Sequence, residues 1–71
     1  MKITVFYVET DQVIEFDIDE GSTIEELKTL IEADFNVMMA DQILVYNNTF
    51  VMNDKSTVGQ LKVKDGDMIL L

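Results

Sequence analysis

The chain has 71 residues, enough for one small domain (residues 1–71) and too few for a second. It carries 14 acids against five lysines, a net charge of −9, with no arginine, histidine, cysteine or tryptophan. Disulfides and thiolate metal sites are thereby excluded. The commonest general base is missing, and the surface is too acidic for nucleic acid or anionic lipid.

Other broad properties follow. Apolar residues make up 48% of the chain, which argues for a folded core over disorder. No run reaches the 18 or so apolar residues of a membrane span. The opening Met1–Val5 lacks the apolar region of a secretion signal, so the expected location is cytoplasmic, nuclear or both. Nothing calls for a cofactor.

Lys2–Val8 is β-branched and aromatic and predicts a strand, with Met1, Ile3 and Val5 on one face and Lys2, Thr4 and Phe6 on the other. Glu9–Gln12 is a polar turn. From residue 13 to 19 the pattern alternates again: Ile14, Phe16 and Ile18 point one way, Glu15, Asp17 and Asp19 the other. The two strands predict a hairpin with one apolar side.

At Gly21-Ser22-Thr23 the period changes. Ile24, Leu27, Ile31 and Phe35 recur at helical spacing, with Leu30 nearby. Thr23 with Glu26, or Ser22 with Glu25, makes a capping box, and the glutamates suit the positive end of the helix dipole. Asn36 is placed to end the helix in the left-handed conformation. Ile43–Tyr46 predicts a short strand, Asn47-Asn48 a turn and Thr49–Met52 another short strand. Thr57–Leu61 predicts one helical turn. Lys64–Asp67 predicts a turn with Gly66 at positive φ, and Met68–Leu71 a final strand. The order is β-β-α-β-β-β, an α+β fold in which a mixed sheet covers one amphipathic helix. The first and last strands are expected to pair in parallel.

This order resembles the ubiquitin-like β-grasp. Met1-x-Ile3-x-Val5 is similar to ubiquitin's first strand, and Thr23-Ile24-Glu25-Glu26-Leu27-Lys28 to its helix start. Asp41–Tyr46 is similar to its third-strand region, and Thr57-Val58-x-x-Leu61-x-Val63 to the turn before its last strand. The closing Leu61–Leu71 and the opening Met1–Val5 resemble the N-terminal ubiquitin-like domain of the DNA-damage-inducible proteasome-shuttle proteins. That family carries a retroviral-type aspartic protease domain downstream. The Asp-Thr/Ser-Gly protease motif is absent here, so no enzyme is expected in these residues. Met38-Met39 replaces ubiquitin's paired prolines, Ile43 its exposed third-strand arginine, and Thr49 and Asp65 its main chain-linking lysines. Lys28 keeps a ubiquitin lysine position.

The resemblance implies a binding module. Leu44 and Tyr46 should face the core, as should Ile69 and Leu71. Phe6, Ile43, Val45 and Leu70 should then form an exposed apolar patch on the sheet face away from the helix, of the kind that marks protein contacts. Val45 matches ubiquitin's central patch isoleucine and Leu70 its nearby histidine. Glu9, Asp11, Glu15 and Asp17 form an acidic edge suited to a basic partner. The partners implied are a proteasomal ubiquitin-like-domain receptor or ubiquitin itself, bound by a monomeric domain. The alternatives are a conjugated modifier or sulfur carrier, disfavoured because no Gly-Gly follows Leu71, and a regulatory or dimerising domain of a larger enzyme.

The remaining features read as structure. Ser22 and Ser56 have no histidine or cysteine to activate them. Asp65-Gly66-Asp67 lacks the further acids of a calcium loop, and Asn47-Asn48-Thr49 reads as a turn before it reads as a glycosylation acceptor. Met1 and Met68 should be structural, and Met38-Met39 should cover the edge of the core.

Overall fold

A computed structural model describes residues 1–71. The strands are β1 (Lys2–Tyr7), β2 (Gln12–Asp17), β3 (Val45–Tyr46), β4 (Thr49–Phe50) and β5 (Met68–Leu70), with one helix, α1 (Ile24–Phe35), and a 3₁₀ turn at Met39–Asp41. The strands form one sheet in the order β2-β1-β5-β3-β4. β1 and β5 pair in parallel and the other pairs are antiparallel. This is the expected β-grasp. The helix is too short to cross a membrane.

Alternation decides which residues enter the core. Ile3 and Val5 of β1, Phe16 of β2, Leu44 and Ile69 are buried, and they meet Ile24, Leu27, Ile31 and Phe35 of α1 in one cluster. The Phe35 ring packs edge-on against Tyr7 at 5.8 Å and tilted against Phe16 at 6.4 Å. Such aromatic pairs add to simple burial and hold the last turn of the helix on the hairpin. Leu30, off this stripe, is exposed.

The helix ends are closed by local chemistry. Thr23 Oγ1 accepts the Glu26 backbone N–H at 3.2 Å. Ser22 does a different job: its hydroxyl accepts the Asp19 N–H at 3.3 Å and holds the loop before the helix. Asn36 adopts φ 59° and its N–H reaches the Glu32 carbonyl, so the helix stops there.

Several sequence expectations need adjusting. β3 begins at Val45, not Ile43, although the Val51 N–H to the Leu44 carbonyl carries the β3–β4 pairing one residue further. β2 ends at Asp17, with Ile18 buried beyond it. Met68 lies on β5 but half of it is exposed, because position 68 faces away from the helix. Met38 is exposed, and only Met39 covers the helix flank. At residues 57–61 a single turn forms, closed by the Leu61 N–H to the Thr57 carbonyl.

One ion pair joins helix to loop. Lys28 Nζ lies 2.7 Å from Asp54 Oδ1, with the lysine side chain 11% exposed and the aspartate 43%. Backbone bonds from the Glu25 N–H to the Asp54 carbonyl and from the Ile24 N–H to the Ser56 carbonyl fix the same loop. Removing the carboxylate strands an ammonium group in the interior, whereas replacing the lysine leaves only a half-solvated carboxylate. Asp54→Ala should therefore cost about 2 kcal/mol, and Lys28→Met distinctly less. Urea unfolding of the two variants gives the comparison, and equal losses would show that the pair's asymmetric burial does not matter.

Candidate functional site

The sheet has two faces, and α1 covers only one. The other face is organised by register. Phe6 of β1 lies opposite Val13 of β2 on one side and Leu70 of β5 on the other. Leu70 lies opposite Val45 of β3, and Val45 opposite Phe50 of β4. Paired residues in neighbouring strands point to the same face. Val13, Phe6, Leu70, Val45 and Phe50 therefore form one apolar row crossing all five strands.

Exposure follows position in the row. The ends are most open, Val13 at 56% and Phe50 at 62%. Phe6 and Val45 have apolar neighbours on both sides and are half-buried, and Leu70 between them is 38% exposed. Ile43, at 65%, stands outside the row. It sits one pleat beyond Val45, with buried Leu44 between them, and no strand residue pairs with it.

The structure thus brings together Phe6, Val45 and Leu70 and leaves Ile43 beside them. It also adds Val13 and Phe50. Both were within reach of the sequence pattern: Val13 alternates with inward Ile14, and Phe50 with inward Val51.

The acids are placed asymmetrically. Glu15 and Asp17 follow Val13 along β2 on the same face, and Glu9 and Asp11 lie in the turn between β1 and β2. All four are exposed and belong to one hairpin, so they flank the Val13 end of the row and do not encircle it. Lys2 Nζ approaches Glu15 at 3.8 Å and the Met1 amine approaches Asp17 at 3.5 Å. Such exposed pairs are weak and leave the carboxylates available. Glu9 accepts the Tyr7 hydroxyl at 3.1 Å, and this bond is the main reason the Tyr7 pKa is raised. No three His, Cys, Asp or Glu side chains cluster as a metal site would require.

The profile of the ubiquitin family matches residues 2–71. The chain belongs to the ubiquitin family. It is also 35% identical, over all 71 residues, to the Arabidopsis thaliana protein DNA-DAMAGE INDUCIBLE 1. The chain spans 17% of that relative's length.

In this ubiquitin-like chain the row depends on a turn that sets β5 against β1. Asp65 Oδ1 accepts the Lys2 N–H at 2.6 Å, the Gly66 N–H donates to the Lys2 carbonyl at 2.7 Å, and the Asp67 carbonyl accepts the Thr4 N–H at 2.9 Å. Gly66 sits at φ 87°, where a side chain would be strained. The Asp67 carboxylate accepts the Tyr46 hydroxyl and, at 2.9 Å, the Lys64 N–H, tying β3 to the same turn. Asp65-Gly66-Asp67 is thus a structural turn. Asn47 and Asn48, at φ 53° and 64°, form the tight left-handed turn of the β3–β4 hairpin.

These bonds move two pKa values in opposite directions. The Tyr46 hydroxyl bond, followed by the Lys64 N–H, holds the Asp67 carboxyl below its ordinary value. The same bond, with burial and the aspartate's charge, raises Tyr46. A depressed carboxyl stabilises the fold above its unfolded pKa and loses that contribution as pH falls through its folded one. A raised phenol contributes below its unfolded pKa and loses its contribution as pH rises through its folded one. Asp67→Asn should lower the melting temperature at neutral pH, and the gap from the parent should close below the usual aspartate range. A gap that persists in acid would show that the charge is irrelevant to this clasp.

Proposed function

We propose that this chain is a non-catalytic interaction module of a proteasome-shuttle or adaptor protein, with a proteasomal ubiquitin-like-domain receptor or ubiquitin as its partner. Family membership supports placing it in the ubiquitin pathway. The likeness to a DNA-damage-inducible protein supports the shuttle reading. The same proposal takes the parent to bear an aspartic protease domain and to work in the cytoplasm, the nucleus or both.

The observation that carries the proposal is the apolar row on the open sheet face. A flat apolar strip gains by excluding water against a partner, and its half-buried centre is already ordered. Val45 is the central anchor, with Phe6, Leu70 and Phe50 beside it and Ile43 as an outlying contact. The acids of the β1–β2 hairpin orient a basic partner across the Val13 end and speed its approach. Ubiquitin, whose corresponding patch has a basic surround, is such a partner. The isolated domain acts as a monomer.

Titration with ubiquitin and with a receptor domain, followed by NMR, should shift residues of the row and spare α1. Val45→Glu places a charge where the interface dries and should weaken binding about a hundredfold, on the order of 3 kcal/mol, with the fold intact because the side chain points away from the core. Undiminished binding by that variant would remove the row from the interface.

The acids act mainly on rate. Glu15→Lys with Asp17→Lys should slow association several-fold and change dissociation little, and raised salt should slow the parent in the same way. Stopped-flow mixing separates the two rates. If neither treatment changes association, steering is disproved.

A further inference from the structure

A second surface lies behind the β3–β4 hairpin, outside the row's centre. Two adjoining concavities there share Tyr46, Asn47, Leu61 and Lys62 and so form one groove. Its floor is apolar: Tyr46 and Leu61 are half-buried and pack on the core. One wall is β4, the outermost strand, whose far side has no strand partner. Such an edge presents unpaired backbone groups to an extended chain.

The groove also holds two of the three lysines that form no ion pair, the third being Lys55 in the loop before the turn at residues 57–61. Of the five lysines, Lys2 and Lys28 are paired with Glu15 and Asp54. Lys62 and Lys64 form no ion pair, and both line the groove. Asp67 lines the groove with them and keeps its charge, its carboxylate accepting the Tyr46 hydroxyl and the Lys64 N–H, so the lining carries two cations against one anion.

Lys62 is held there against its own backbone preference. It ends the turn at residues 57–61 with φ 62°, its N–H donating to the Gly59 carbonyl and the Val63 N–H donating to the Val58 carbonyl. This is the Schellman arrangement, whose left-handed position normally belongs to glycine or asparagine. A lysine there carries a steric cost that either of those residues would relieve, and strained positions of this kind cluster at functional sites.

We infer that this groove binds an extended acidic peptide segment of a partner protein, one apolar side chain resting on Tyr46 and Leu61, flanking carboxylates on Lys62 and Lys64, and the peptide backbone along the β4 edge. The charge of the groove selects the occupant. A basic segment would meet two lysines, and a purely apolar one would leave both unused. The site meets the row only at Phe50, which lines the groove's β4 wall, and leaves Val45 free.

The test is an NMR titration of the whole chain with a ten-residue peptide in which a single leucine is flanked by glutamates. Shifts should centre on Tyr46, Thr49, Gln60, Lys62 and Lys64, and Val45→Glu should leave them unchanged. Lys62→Asn should hold or raise the melting temperature while weakening the peptide about fivefold, and adding Lys64→Gln should bring the loss to about twentyfold. A merely structural Lys62 would give stability without the loss of binding, and that result overturns the proposal. So does equal binding of a lysine-flanked peptide, the same shifts from inorganic phosphate alone, or shifts at Lys62 and Lys64 that appear on concentrating the protein without peptide.

Discussion

The parallel pairing of β1 with β5 sets the registers on which everything else depends. These strands come from opposite ends of the chain and form the middle of the sheet. The turn before β5 fixes their alignment with three hydrogen bonds to Lys2 and Thr4, and the Leu71 N–H to the Phe6 carbonyl continues it at 2.9 Å. A slip of one residue would exchange faces along the whole strand. Ile69 would leave the core, and Leu70 would turn in under the helix. The Asp65-Gly66-Asp67 turn therefore does more than reverse the chain: it decides which apolar side chains the core keeps and which the open face receives.

The open face gains its form from that alignment. Once Phe6 lies opposite Leu70, the antiparallel ladders on either side bring Val13, Val45 and Phe50 into line without further instruction. Packing within the row shelters its centre, so part of the apolar surface is buried before any partner arrives. A small domain has little core to spare, and placing five apolar residues outside it forgoes stability that burial would supply. A partner covering the row, as proposed, would recover that stability.

The fold was legible because each local signal agreed with the next. Alternation in β1 and β2, the change of period at Gly21–Thr23, the Thr23 cap and the Asn36 stop each fixed one element, and together they left a single sensible sheet. The outward orientation of Val45 came from the resemblance to the β-grasp, because Ile43–Tyr46 is apolar throughout and offers no polar alternation of its own. What escaped was set by distant pairing. The facing of Val13 and Phe50 was open to local alternation, but their alignment with Val45 needs the cross-strand registers of β2 and β4, which no short stretch encodes. The ion pair of Lys28 with Asp54 joins residues 26 apart and depends on where a loop crosses the helix. Lys62 in the left-handed conformation ran against local preference, so a propensity argument could not find it.

Charge is divided in the same way as structure. The hairpin of β1 and β2 holds Glu9, Asp11, Glu15 and Asp17, while Lys62 and Lys64 lie across the sheet behind β3 and β4. With a net charge of −9 the distant field is negative, so a basic partner is drawn in from afar. Salt at physiological strength screens that field within about 8 Å, which allows two lysines close together to set the local sign. One small sheet can thus present a negative hairpin at one edge, an apolar row across its open face and a positive groove behind the other edge. A partner centred on Val45 and a peptide resting on Tyr46 would meet only near Phe50, because the pleat of β3 turns Val45 and Tyr46 to opposite faces of the same strand.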